Sequence, residues 1–193
     1  MGRVISSMSM SLDGYVTGPR DSREEPLGED GQVLHEWIWE ARTAADSDVL
    51  DELVDGTGAV VMGRRSYDFC EGEGGWGDGG PAGQTPCFVL THEPPQHVVA
   101  PAVFTFVAGG IADAIEQAQT VAGGKYVALH GSTAFQQALL AGLVDEVQIH
   151  LVPVLLGGGV RLFDHLSEQQ IRLERTRVVE TPAATHLRFR VLK

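Results

Sequence analysis

Four consecutive apolar residues, Ala59-Val60-Val61-Met62, run into Gly63-Arg64-Arg65-Ser66 and then Tyr67-Asp68-Phe69. A run this short and this apolar reads as a strand covered on both faces, as in a parallel sheet flanked by helices. Gly63 lets the chain turn at the strand end. A helix beginning there points unpaired N–H groups and the positive end of its dipole outward. Two guanidinium groups at the same place make the turn a candidate anion site, because Arg offers phosphate a planar fork of donors. The alternative is a plain strand–turn–helix with two solvated arginines, and the rest of the chain decides between them.

The chain has 193 residues, enough for one domain with a sizeable core, and is read as a single domain over 1–193. Its formal net charge of −12 opposes general binding to nucleic acid or a membrane surface, both of which call for a basic field. An anionic ligand would then need a local positive site, which draws attention back to Arg64 and Arg65. Cys70 and Cys87 are the only cysteines, too few for a disulfide framework or a cysteine-rich zinc site, and read as small packed side chains. The histidines show no metal-ligand spacing, so no metal is expected. No charged-then-apolar leader or long apolar run is present, which points to a cytoplasmic protein. The opening Met-Gly-Arg-Val-Ile-Ser fits a myristoylation pattern, but Val4 and Ile5 are better placed in a first strand.

Residues 3–10 are β-compatible and lead to turn signals at Asp13-Gly14 and Gly18-Pro19, with a polar loop over 19–31. The spacing of Val33, Leu34, Trp37, Ile38 and Ala41 predicts a helix, and Asp46 or Ser47 can cap another bearing Val49, Leu50, Leu53 and Val54. Strands are predicted at 86–90, 103–107, 126–129 and 144–154, the last broken by Pro153. Helices are predicted after Gly109-Gly110 and after His130-Gly131-Ser132-Thr133. The alternating segments on either side of Thr181-Pro182 predict a closing antiparallel hairpin. The class is therefore α/β, with a mixed, mostly parallel central sheet. Gly72, Gly74 and Gly77 match G-x-G-x-x-G by letter, but glycine and proline follow where a helix would have to start, so the match is rejected. A mobile surface loop is expected there, with Trp76 packing on a partner or covering a cleft.

Three strand ends now share one character: Gly63-Arg64-Arg65-Ser66, Leu90-Thr91-His92 and Gly131-Ser132-Thr133-Ala134. In open α/β sheets ligands sit beyond the carboxyl ends of the strands. Two of these junctions open helices and suit phosphates, while the middle one offers an apolar edge and a hydroxyl to a purine nucleoside. Together they suit a dinucleotide, and the arginines favour NADPH over NADH.

The segments SMSMSLDGYVTG, VVMGRRSYDF, FVLTHEP and GSTAFQQALLAGLVDEVQIHLVPVLLGGGVRLF, in that order, resemble the dihydrofolate-reductase-like superfamily, in its branch carrying the riboflavin-biosynthesis reductase C-terminal domain. The resemblance implies a three-layer fold and an NADPH-dependent reductase. It implies that Gly63, Arg64, Arg65 and Ser66 hold the 2′-phosphate side of the cofactor, Leu90 and Thr91 the adenosine, and Gly131, Ser132, Thr133 and Ala134 the pyrophosphate. Asp13, Gly14, Tyr15 and Val16 would flank the nicotinamide, with Ser9 and Met10 below and Leu155 and Gly157 nearby. His130 departs from the paired glycines of dihydrofolate reductases. On the first helix His35, Glu36 or Glu40 could face the cleft, whereas Trp37 and Trp39 read as core and rim packing.

The expected activity is hydride transfer to a C=N or C=O carbon of a small heterocycle or sugar-derived imine, with a proton from water or a carboxylate, Asp13 first. The nearest named activity is reduction of 5-amino-6-(5-phosphoribosylamino)uracil, although no further basic cluster for a substrate phosphate is visible. The alternative is a non-catalytic dimer that binds NADPH or a folate-like ligand. The family commonly forms homodimers, and the apolar strand 144–154 is a candidate surface for that.

Overall fold

The structure, a computed structural model, describes residues 2–193 apart from 71–75, 99, 101 and 167–169, and of Cys70 the backbone alone. Eight strands form one sheet in the order β4-β3-β2-β5-β1-β6-β8-β7. They are β1 (Val4–Ser11), β2 (Thr57–Gly63), β3 (Cys87–Leu90), β4 (Phe104–Val107), β5 (Tyr126–His130), β6 (Glu146–Val152), β7 (Arg172–Glu180) and β8 (Thr185–Leu192). The first six run parallel, and β8 and β7 add antiparallel to β6. The carboxyl ends of six strands therefore share one edge, as the mixed α/β reading expects.

Both faces of the sheet are covered because its central strands are apolar on both. In β2, Ala59 and Val61 join the core under α4 (Gly110–Val121) and α5 (Ser132–Leu140), which includes the fully buried Phe135. Val60 and Met62 point the other way and pack with Tyr67 of α3 (Arg64–Cys70). A third cluster sits on the same side at β6 and β8, where Leu34 and Trp37 cover Val152 and Ala184. Alternation along each strand thus assigns successive residues to opposite helical layers.

Several elements differ from the sequence expectation. The helix predicted from the spacing of Val33 to Ala41 is broken into a 3₁₀ turn, Gly31–His35, and a single α turn, α1 (Glu36–Trp39). Trp37 is buried there and Trp39 is 62 % exposed, matching their core and rim readings. The next helix, α2 (Ala44–Gly56), is capped by Thr43 and not by Asp46 or Ser47. Asp46 is the third helical residue, and its carboxylate accepts from the Thr43 N–H at 2.7 Å to complete a capping box. Strand 144–154 shortens to β6, which lies inside the sheet between β1 and β8 and is buried over most of its length, so it offers no free apolar face to a second copy. Strand β7 is the exposed edge, and its arginines and glutamates suit a strand in contact with water.

Among the described residues no helix is long and apolar enough to cross a membrane. No group of three or more His, Cys, Asp or Glu side chains among them is arranged to hold a metal. Cys87 is buried, and burial pushes its thiol up to about 12. Gly72 and Gly74 of the rejected glycine pattern lie outside the described residues.

Candidate active site

A cavity of about 1890 Å³ opens along the carboxyl edge of the parallel strands. Pockets for one small ligand span roughly 300–1,000 Å³, so this one has room for two. At one end it is bounded by Leu90 and Thr91 after β3 and by Val107 and Ala108 after β4. Gly63 to Ser66 after β2 and His130 to Ala134 after β5 follow in sheet order. Ser7 and Ser9 of β1 and His150 of β6 close the other end.

Each junction is shaped by its sequence. Gly63 ends β2, and a Cβ there would meet nothing within 4 Å, so the backbone borders open space. Gly131 has φ +89°, a conformation that glycine accepts and side chains resist, and a Cβ on it would stand 2.7 Å from the Ser66 hydroxyl. The turns after β2 and β5 therefore touch. No side chain caps α5, which leaves its first-turn N–H groups, at Ser132, Thr133 and Ala134, directed at the cavity. That is a donor set suited to a phosphate.

The two arginines separate. Arg64 leans toward the end of β3, where its Nη1 donates to the Glu93 carbonyl at 2.8 Å and its Nε to Asp68 at 2.7 Å. Thr91 stands 3.4 Å from the same Nη1. Arg65 turns the other way, pairs with Asp21 at 3.0 Å and lies over the Phe69 ring. Each guanidinium is met by a carboxylate, Arg64 by Asp68 and Arg65 by Asp21, and Arg64 in addition joins two of the three predicted junctions.

Of the fourteen residues that the resemblance sets around a cofactor, all but Asp13, Gly14 and Tyr15 line the cavity. Gly14, at φ +92°, belongs instead to a backbone zipper between residues 11–17 and 154–162, in which Leu162 N–H donates to the Gly14 carbonyl and Val16 N–H to that of Val160. The zipper explains the last glycine of the triplet: a Cβ on Gly159 would stand 2.0 Å from the Thr17 carbonyl. Val16 and Val160 form the zipper's face toward the cavity.

Asp13 latches this zipper. Its carboxylate accepts from the Ser11 hydroxyl at 2.6 Å and from the N–H groups of Leu156 and Gly157 at 3.1 and 2.8 Å. The Ser11 hydroxyl first, with the two backbone donors helping, holds the carboxyl at about 2. A carboxylate so held does not carry a proton at neutral pH, and Asp13 does not line the cavity, so it is unsuited to the donor role expected of it.

Among the expected substrate residues only Ser9 lines the cavity, and its hydroxyl accepts from the Trp37 indole N–H at 3.0 Å. Met10 packs into the core under α4 and α5, one residue out of phase with Ser9. Glu36 is exposed on α1, as is Glu40 just beyond it, and Leu155 is 68 % exposed. Gly157 serves the Asp13 latch. Of the three candidates on the first helix, His35 is the one facing the cavity.

Burial holds three cavity histidines neutral: the His35 imidazole is pushed down to about 4, His130 to about 4, and His150 to about 3. The Nδ1 atoms of His35 and His130 are buried without a protein partner. Trp76 meets His130 edge-on at 5.3 Å and lines the cavity, in keeping with the cleft-covering role expected of it. Sequence reasoning passed over His150 and His186 and read Asp46 only as a helix cap. The available signal was a histidine inside each of two apolar strands, Ile149-His150-Leu151 and Thr185-His186-Leu187.

Comparison with known proteins places this geometry. Residues 3–187 match the model of the RibD C-terminal domain. A candidate riboflavin biosynthesis protein from Shewanella sp. PV-4 superposes with a TM-score of 0.74 at 24 % identity over the whole of both chains. A pyrimidine reductase-like protein from Corynebacterium diphtheriae gives 0.63 at 13 % identity, covering 100 % of this chain and 92 % of that one. A diaminohydroxyphosphoribosylaminopyrimidine deaminase/5-amino-6-(5-phosphoribosylamino)uracil reductase from Thermotoga maritima gives 0.65 at 14 % identity, and this chain spans 57 % of its length. No curated protein matches. With a match across nearly its whole length and the same sheet in its structural neighbours, the chain belongs to the RibD C-terminal domain family.

Proposed function

We propose that the protein is an NADPH-dependent reductase acting on a small heterocyclic or sugar-imine substrate, with 5-amino-6-(5-phosphoribosylamino)uracil the first compound to test. The observation that carries this reading is the meeting of the three strand–loop junctions in one cavity large enough for a dinucleotide and a second ligand. In sheet order, Leu90, Thr91, Val107 and Ala108 would take the adenosine, Arg64 its 2′-phosphate, and the start of α5 the pyrophosphate. The nicotinamide end would then fall beside Val16, Ser7, Ser9 and His150.

The cofactor, when bound, supplies the hydride. The protein binds and orients it through fixed backbone donors that need no rearrangement. Trp37, His35 and His150 wall the far end with neutral rings, which keeps water scarce where the substrate carbon is reduced. The test is NADPH oxidation followed by absorbance with the aminouracil ribosyl phosphate, dihydrofolate and pterins as substrates. Turnover with one of them supports the reading. Tight NADPH binding with no oxidation by any of them would favour a non-catalytic binding module.

A further inference from the structure

Beneath the nicotinamide end of the cavity four side chains from four elements form one hydrogen-bonded line. Ser7 Oγ on β1 lies 2.9 Å from His150 Nε2 on β6. His150 Nδ1 lies 2.7 Å from His186 Nδ1 on β8, and His186 Nε2 lies 2.8 Å from Asp46 Oδ1 on α2. His150, His186 and Asp46 are buried, whereas Ser7 and His150 line the cavity. The Trp37 ring lies 4.5 Å from His150 and 4.9 Å from His186 and covers the line from solvent. We propose that Asp46, His186, His150 and Ser7 form a buried proton relay whose outlet is the Ser7 hydroxyl at the cavity floor.

The two Nδ1 atoms force the logic. At 2.7 Å one of them must donate and the other accept, so the tautomers of the two rings are locked together. With the Asp46 carboxylate ionised, His186 Nε2–H donates to it. If His186 is neutral, its Nδ1 accepts, His150 carries its proton on Nδ1, and His150 Nε2 accepts from the Ser7 hydroxyl. One added proton on His186, facing the Asp46 carboxylate, reverses each link. His186 Nδ1–H then donates to His150 Nδ1, His150 Nε2–H donates to Ser7 Oγ, and the Ser7 O–H is free to donate into the cavity.

The groups around the line fit this division of labour. Burial, the neighbouring His186 and His35 of the 3₁₀ turn keep His150 neutral, against the opposing pull of Asp46, so His150 conducts by changing tautomer and does not store charge. Burial alone would lift the Asp46 carboxyl, but hydrogen bonds from Thr43, His186 and Thr181 outweigh it and hold the group ionised. The carboxylate therefore stands as a fixed acceptor for His186 Nε2–H.

This inference rests on the reductase reading for its chemical use. Hydride from reduced nicotinamide forms a C–H bond at the carbon of a C=N or C=O group, and the displaced π pair moves to the nitrogen or oxygen. That atom takes the Ser7 hydroxyl proton. Ser7 Oγ takes the proton from His150 Nε2, His150 Nδ1 takes that of His186 Nδ1, and His186 is left neutral against Asp46. After the product leaves, solvent reaches Ser7 and a solvent proton recharges the line in the reverse order. Ser7 is then a catalytic residue, and His150, His186 and Asp46 are positioning residues.

Nitrogen-15 NMR of histidine-labelled protein across the pH range tests the relay without a substrate. The expected result is that His150 carries its proton on Nδ1 at high pH and on Nε2 at lower pH, with Asp46→Asn abolishing the switch. A single His150 tautomer at every pH overturns the relay. In turnover with the aminouracil ribosyl phosphate, Ser7→Ala should lower kcat about 100-fold at unchanged KM for NADPH, the low end of what positioned acid–base groups contribute. Ser7→Thr, which restores a hydroxyl, should recover most of it, and wild-type kcat should fall as pH rises through the tautomer switch. Unchanged kcat in Ser7→Ala overturns the outlet role. A tautomer switch in a protein that never oxidises NADPH supports the relay and overturns the reductase reading.

Discussion

At the β2–β3 end of the cavity the groups offered to a ligand are glycine backbone, helix-start N–H groups and the part-exposed Arg64. At the β1–β6 end they are buried neutral imidazoles and serine hydroxyls tied to the fully buried Asp46. The first end is made of local conformation: each junction is a few consecutive residues that fold where a strand stops and a helix starts. The second is made of tertiary packing, and no two of its polar members are neighbours in the chain. Changes at the first end should therefore weaken ligand binding and spare the fold, while changes at the second should damage the fold as well as turnover.

The largest effect is expected at the buried end. Asp46→Ala removes the α2 capping box and leaves His186 without its carboxylate, and should cost about 3 kcal/mol in urea unfolding. A loss below about 1 kcal/mol would break the contrast, being typical of a surface site. Acidification should also act here. Burial holds His35, His130 and His150 at about 4, 4 and 3, below the ordinary imidazole value of 6.5, so the unfolded chain binds protons that the folded one refuses. Stability should be fully present above about pH 6.5 and fall as pH drops toward 4. Thermal unfolding across that window checks it, and a flat profile would contradict the neutral, buried floor.

At the junction between the two ends, Gly131→Ala should cost about 1–3 kcal/mol for its positive φ, together with a clash at Ser66. NADPH affinity should fall with it, because the same turn aims the start of α5. The smallest effect is expected at Asp13. Its carboxyl is depressed from 3.8 to about 2, so its contribution is present above pH 4 and lost as pH falls through 2. Asp13→Asn should flatten that acid limb and leave turnover at neutral pH unchanged. A large loss of kcat would restore Asp13 to the chemistry.

The same contrast accounts for what could be read in the sequence. The strand–glycine–helix junctions were legible because Ala59–Ser66 and Tyr126–Ala134 carry their whole signal in about ten contiguous residues, and the alternating hairpin closed the sheet correctly. Asp13 and Gly14 read as a turn beside the cofactor, yet they serve a latch to residues 156–162 that only the folded chain reveals. Glu36 was plausible because any carboxylate near the first helix would be, and the break between the 3₁₀ turn and α1 sends it to solvent. Met10 followed Ser9 in sequence, and strand alternation put it on the opposite face. The relay was illegible because its partners, Ser7, Asp46, His150 and His186, are brought together by strand register and by the packing of α2, neither of which local spacing encodes.

The most direct test of the cofactor assignment is a fluorescence titration of wild type, Arg64→Ala and Arg65→Ala with NADPH and with NADH. The account predicts NADPH binding at least about 10-fold tighter than NADH in wild type, the value of one charge-assisted hydrogen bond. That preference should vanish in Arg64→Ala, where the residue joining the β2 and β3 junctions is lost, and shrink less in Arg65→Ala, whose side chain turns away from β3 toward Asp21. Equal affinity for the two nucleotides, unaffected by Arg64→Ala, would contradict it.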